Sequence, residues 1–181
     1  MASGEPEEVE TDIVTIEGRR LRLRPIGPDD DDALVEMGRR STRDDLRLRF
    51  FSAVRPEPGP LVSALTHFDH GRQRAAGAYD PELPNGPREL LGVVRLHWLA
   101  DHSSAEFAVM VRSDLKGHGL GYCLMQAMLG WAADLDLARV EGDVLPENTA
   151  MLHMVRSCGG TILPRGADLH VVRVAFLPPF R

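Results

Sequence analysis

Three glycines at alternate positions, Gly117, Gly119 and Gly121, separate an apolar run from a long helical stretch, and no other part of the chain restricts the fold so strongly. Ahead of them residues 105–111 read AEFAVMV, with Phe107, Val109 and Val111 on one parity, the pattern of a largely buried strand. Residues 112–116 are a polar connector. After the glycines a helix runs through Cys123, Leu124, Met128 and Trp131 to about Leu135. Strand, glycine turn and helix N-terminus in that order make a seat for an anion. The first helical turn has N–H groups with no intrahelical acceptor, the helix dipole adds partial positive charge, and glycine lets a phosphate come close. One acid, Glu106, lies inside the apolar strand just before this seat.

At 181 residues the chain suits one domain with a substantial core. A formal charge of −6 argues against a general nucleic-acid binder, which needs a basic face to replace counterions. No apolar run approaches the roughly 20 residues of a membrane span, and the start, MASGEPEEVETD, is the opposite of a secretory signal. A cytoplasmic location is expected, with residues 1–12 a disordered acidic segment and residues 13–181 a single domain. Cys123 and Cys158 fall in apolar helical contexts, as small buried hydrophobes rather than a disulfide or metal pair.

The remaining elements follow from periodicity and breakers. Residues 13–16 and Leu21, Leu23 suggest two short strands around the Glu17-Gly18 turn. A helix follows Pro28, its acids at 29–32 suited to a first turn. Residues 41–51 form a second helix with Leu46 and Phe50 on one face. Its Arg43 and Arg47 could dock a phosphate or acidic substrate, or pair with Asp44 and Asp45 at the surface. Residues 61–68 suggest a further helix. Residues 73–79 and 89–99 read as antiparallel strands across a breaker-rich loop. Residues 139–145 are a strand, 149–157 a helix stopped by Gly159-Gly160, and 169–177 a last strand.

Alone, GHGLG is a weak signal. A dinucleotide fingerprint would use Gly117 and Gly119, but Tyr122 stands at the third glycine, although Glu141 lies at the ribose-acid distance. A phosphate loop of the Gly-Lys-Ser/Thr type is missing. Taken with its surroundings, Lys116-Gly117-His118-Gly119-Leu120-Gly121 resembles the Q/R-x-x-G-x-G/A signature of the GNAT acetyltransferase superfamily, with Lys116 in the Gln/Arg place. Pro146-Glu147-Asn148 before a helix resembles a second family motif. LRPI, LRLRFF, AEFAVMV, KGHGLG and VLPENTAM in that order are similar to the bacterial protein-lysine acetyltransferases.

The resemblance implies the α/β acetyltransferase fold, a mixed, twisted sheet of six or seven strands with about four helices. It implies acetyl-CoA as acyl donor and no metal. Lys116, Gly117, His118, Gly119, Leu120 and Gly121 would hold the pyrophosphate. Val109, Met110 and Val111 would pair with the pantetheine through their backbone. Asn148 would bond to the cofactor, cap the helix, or both. His118 is either a helper to the phosphate or a passive side chain. Glu106 would be the general base that takes a proton from an acceptor lysine, whose ordinary pKa is about 10.4. An acid in an apolar strand could instead be a structural ion pair, for example with Arg95 from the neighbouring strand. Val155 occupies the place where many family members carry a proton-donating Tyr. The implied partner is a protein such as an acyl-CoA synthetase, with no nucleic acid or membrane. A small-molecule amine acetyltransferase and a non-catalytic CoA-binding module are the rival readings.

Overall fold

The computed structural model describes residues 10–15, 17–52, 55–164 and 170–180. Eight strands are β1 (Thr11–Val14), β2 (Arg20–Pro25), β3 (Gln73–Tyr79), β4 (Gly92–Trp98), β5 (Ser104–Val111), β6 (Arg139–Val144), β7 (Thr161–Ile162) and β8 (Val172–Phe176). They form one mixed sheet in the order β1-β2-β3-β4-β5-β6-β8-β7. Five helices, α1 (Asp31–Arg39), α2 (Arg43–Phe50), α3 (Pro60–Thr66), α4 (Leu120–Asp134) and α5 (Thr149–Ser157), accompany it.

Side-chain alternation decides which sheet face each helix covers. On β5 the odd residues Phe107, Val109 and Val111 join Val94 and Leu96 of β4 in the larger core. There they meet Leu120, Leu124, Met125, Met128, Leu129 and Ala132 of α4, all at most 3% exposed. Burying one such Leu or Met contributes about 1.5–3 kcal/mol. The opposite face, with Ala75, carries Leu34, Val35 and Met37 of α1 and Val62 of α3 as a second cluster. Thr42 caps α2, its Oγ1 accepting from the Asp45 N–H at 3.2 Å.

Hydrogen bonding across the sheet is uneven at one seam. β4 and β5 are antiparallel over seven consecutive pairs, from Gly92↔Val111 to Trp98↔Ala105. β5 and β6 are parallel and paired only at Ser104↔Arg139, Ala105↔Val140 and Glu106↔Glu141. The pairing stops where Phe107 reaches Gly142: a Cβ there would lie 2.8 Å from the Phe107 ring, so only glycine admits that ring. β6 then continues beside β8 to Val144↔Val172, leaving the β6-facing side of residues 107–111 without a strand partner.

Several sequence expectations change. The sheet has eight strands, because the two-residue β7 adds an edge beyond β8, and the helices number five, one for each helical segment marked by periodicity. Thr11 and Asp12, expected to be disordered, pair with Leu23 and Arg22 in β1, since edge pairing to β2 satisfies their backbone. The strand expected from residue 89 begins at Gly92, after a 3-10 turn at Gly86–Arg88. Ile16, and the residues 165–169 where the last strand was expected to begin, lie outside the described residues.

Candidate active site

The opened seam leads into a cavity of about 680 Å³, within the range of small-ligand sites. One wall is β5 itself, residues 106–111. A second is the glycine loop with Lys116, Gly117, Gly119, Gly121 and Tyr122. A third comes from Asp143, Val144 and α5, and the last from α2 through Asp45, Leu48, Arg49 and Phe51.

The loop is shaped by backbone conformation. Gly117 and Gly119 have φ of +83° and +86°, which a side chain strongly disfavours. α4 starts at Leu120, and its first backbone bond to the loop is from Cys123 N–H to Gly119 C=O at 3.1 Å. The N–H groups of Leu120, Gly121 and Tyr122 therefore have no helical acceptor, and α4 adds its dipole behind them. Lys116, Gly117, Gly119 and Gly121 all line the cavity, as do Val109, Met110, Val111 and Asn148. Two candidates do not. His118 turns to the β1–β2 connection, where its Nδ1 lies 2.7 Å from Glu17 Oε1. The Leu120 side chain is in the core, 3% exposed, so only its backbone is available to a ligand. Asn148 caps α5, its Oδ1 accepting from Met151 N–H at 3.1 Å.

Glu106 projects from the other face of β5, with Ala108 and Met110, and is exposed. The expectation of a partly desolvated acid in an apolar strand is therefore corrected: Glu106 is the last residue paired to β6, and its side chain is exposed next to the point where the seam opens. The alternative reading, an ion pair with Arg95, is not what the structure shows. Arg95 lies opposite Ala108, with Nη1 donating to Gln73 Oε1 at 2.6 Å and Nη2 to the Leu65 carbonyl. Glu106 is aligned instead with His97 on β4 and Glu141 on β6. Further along β6, Asp143 shares that face. Both β6 acids are compensated: Arg139 lies 2.9 Å from Glu141, and Arg173 donates to Asp143 at 2.9 Å.

A network of charges fastens α2 to the glycine loop. The Asp45 carboxylate accepts from Lys116 Nζ and from Ser113 Oγ, and Thr42 N–H donates to Ser113 Oγ at 2.8 Å. Burial pushes the Asp45 carboxyl upward, but the hydrogen bonds from Lys116, Ser113 and Thr42 outweigh it and hold the group below its ordinary value. Beside it Arg112 bonds Glu89 and Asp114, each at 2.7 Å, and keeps both carboxyls low. At the other end of the mouth Arg47 donates to Glu147 at 2.7 Å, linking α2 to the turn before α5.

The sequence pointed to none of Arg49, Phe51, Asp143, His153 and Tyr122 as cavity residues. Phe51 has φ +56° and is 49% exposed, a left-handed backbone rare for a bulky residue. The adjacent Arg49 carries its guanidinium 4.8 Å above Phe50. Val155 is fully buried, far from any proton-transfer role, while Ser157 lines the cavity. Cys158 is buried, its thiol pushed up by desolvation. Cys123 is half-buried with Sγ 3.2 Å from the Val14 carbonyl, so only one of the two cysteines is a core residue. Among the described residues no group of three or more His, Cys, Asp or Glu is placed to hold a metal, and no helix is long and apolar enough to cross a membrane.

A glycine turn at a helix start, a strand edge open along one side and a carboxylate in the same cavity are the parts that an acyltransferase drawing on a CoA thioester needs. Residues 20–161 match the family described as the acetyltransferase (GNAT) domain. The chain belongs to that family and is an acetyl-CoA-dependent acetyltransferase. Among solved structures it is similar to the GNAT domain of S. lividans PAT, at 25% identity over 96% of this chain and 99% of that one, with a TM-score of 0.85. The fold is shared with a cAMP-binding acyltransferase from Mycobacterium smegmatis, 22% identical over 94% of this chain and 48% of that one, TM-score 0.63. It is shared also with spermidine N-acetyltransferase from Vibrio cholerae, solved with CoA and spermine, 21% identical over 87% and 95% of the two chains, TM-score 0.66.

Proposed function

We propose that this protein transfers acetyl from acetyl-CoA to a primary amine, and that the amine is a lysine side chain of a protein such as an acyl-CoA synthetase. The observation that carries the transfer is a single cavity holding both the glycine-loop amides and Glu106. The pyrophosphate binds the N–H groups at the start of α4. The pantetheine lies along residues 109–111, where the strand lacks a neighbour. Glu106 takes a proton from the acceptor ammonium, directly or through water, and the neutral amine attacks the thioester carbonyl carbon. An N–H on the open side of β5 stabilises the oxyanion. The C–S bond then breaks, and the thiolate takes a proton from water or from Ser157, the hydroxyl on the α5 wall. No covalent enzyme intermediate is needed.

A protein acceptor is supported by the likeness to S. lividans PAT along almost the whole of both chains. It is also supported by charge. Glu141 and Asp143 stand near Glu106, but Arg139 and Arg173 neutralise them and leave a polyamine little net negative charge to grip. The two free thiols suit a reducing, cytoplasmic setting. The test is parallel incubation with acetyl-CoA of a synthetase, spermidine and free amino acids, read by mass spectrometry. One dominant acetyl-lysine on the synthetase is expected. Acetylation of free amines alone would replace the protein acceptor with a small one, and no acetylation of any amine would leave a CoA-binding module.

A further inference from the structure

Behind Arg49 the main cavity abuts a second, much smaller one of about 30 Å³, and the two share Arg49, Ala108 and Met110 as walls. That volume suits one water-sized group or the head of a small anion. Its remaining lining is apolar, from Leu34, Met37 and Phe50 among others, except for one residue: Arg95. Arg95 is only 7% exposed, and its Nε is buried with no hydrogen-bond partner. Its other nitrogens meet a neutral amide and a backbone carbonyl, and its guanidinium lies 4.7 Å from the Phe68 ring centre. Among the described residues no carboxylate lies within ion-pair distance of Arg95 or of Arg49. A buried cation without an anion is costly, and a second, half-buried cation facing the same small space raises that cost. Burial and the charge of Arg49 together push Arg95 down to about 10.

We infer that Arg49 and Arg95 form an anion notch, and that the acceptor used by this site carries a carboxylate close to the amine it offers. Placement supports this. Arg95 pairs in register with Ala108, two residues along the same face of β5 from Glu106, a separation of roughly 7 Å along the strand. An amine held at Glu106 thus presents a neighbouring carboxylate to Arg49 at the boundary of the two cavities, with Arg95 behind it. Glu106 is the carboxylate whose field reaches Arg49, without an ion pair between them. A polycation meets two guanidinium groups here and is disfavoured. The inference rests on the acetyl-transfer reading and names the acceptor class for that same site. The carboxylate could come from an acidic residue near a lysine in a protein or from a free amino acid.

The test separates binding from turnover. Blocked peptides with one lysine and Asp, Asn or Arg within two residues of it are titrated calorimetrically into the CoA-loaded protein, with free glutamate alongside. The Asp peptide should bind about tenfold or more tightly than the Asn peptide, as expected for a charge-assisted hydrogen bond, and the Arg peptide weakest. In R49Q the Asp-over-Asn ratio should fall to near unity. R95K should reduce it as well; because Arg95 is buried, thermal melting checks both variants, and R49Q, at a half-buried position, decides if R95K does not fold. Equal binding of Asp and Asn peptides by the unaltered protein, or a ratio retained in R49Q, overturns the notch. Tighter binding of glutamate than of any peptide assigns the carboxylate to a small zwitterion, and the reverse assigns it to a protein. Acetyl transfer to the same compounds is assayed separately. Preference without transfer removes the proposed function and keeps the notch, whereas transfer without preference does the opposite.

Discussion

The proposed donor side and the proposed acceptor side of the cavity are built from different material. The donor side is backbone: glycines with positive φ, the unfilled N–H groups of α4, and a strand edge that β6 leaves at Phe107. The proposed acceptor side is side chain: Glu106 from β5, with Leu48, Arg49 and Phe51 from α2 and its C-terminal cap, a helix pinned through Asp45 and Arg47. Backbone geometry tolerates almost any change of side chain that preserves it, so one donor can be kept while the acceptor wall changes freely. Fold and donor therefore follow from such a cavity more directly than acceptor identity does.

The sharpest attack on this contrast is Glu106→Gln. Turnover should fall about 10²–10⁴-fold with acetyl-CoA affinity nearly unchanged, and should partly recover at high pH as the acceptor amine deprotonates unaided. An unaltered neutral-pH rate would falsify the base assignment. Next is Gly119→Val, which forces a β-branched residue to φ +86° and should weaken CoA binding by about two orders of magnitude in a folded protein. Its counterpart is Lys116→Ala. If the seat is backbone, losing this ammonium, already bonded to Asp45, should cost CoA affinity less than about tenfold by calorimetry. A loss as large as that of Gly119→Val would mean that the donor side depends on side chains after all. Breaking the tie across the mouth with Glu147→Gln should speed CoA release only about two- to fivefold in stopped-flow measurements, because the pair is exposed.

The smallest effect is on acid stability. Asp45, Glu89 and Asp114 are held below their ordinary values in the folded protein. Their contribution is complete above the unfolded carboxyl range of about 4 and is lost as pH falls through the lower folded values. Melting temperature should therefore drop below about pH 4, and Asp45→Asn should flatten part of that drop. A variant with the same slope would show that the Asp45 clasp adds no acid-sensitive stability.

The sequence exposed what depends on local backbone. The glycine triplet, the Asn148 cap and the parity of residues 105–111 each carry their own local rule, and the structure places them around one cavity. Glu106 could be named from its strand, but its solvation could not, because that depends on where β6 parts from β5, and the cause is a contact between Phe107 and Gly142, residues 35 positions apart. An ion pair with Arg95 was the alternative reading of Glu106, because the two residues lie on neighbouring strands. Register instead set it across from Ala108, and Gln73 reached it from β3. Arg49 and Phe51 left no periodic trace, since they face the cavity from the C-terminal end of α2 and the turn beyond it.

The three-residue contact between β5 and β6 also bears on how long the protein lasts. A sheet interrupted at its centre exposes to water and proteases a seam that the pantetheine would fill as an absent strand does. Ligand at about 100 times its dissociation constant adds roughly 2.7 kcal/mol to the folded state, or several degrees of melting temperature for a chain of this size. Proteolysis with and without CoA should accordingly show slower cleavage of the loaded form. On that outcome, copies without acetyl-CoA would be cut first, and abundance would follow the same metabolite as rate.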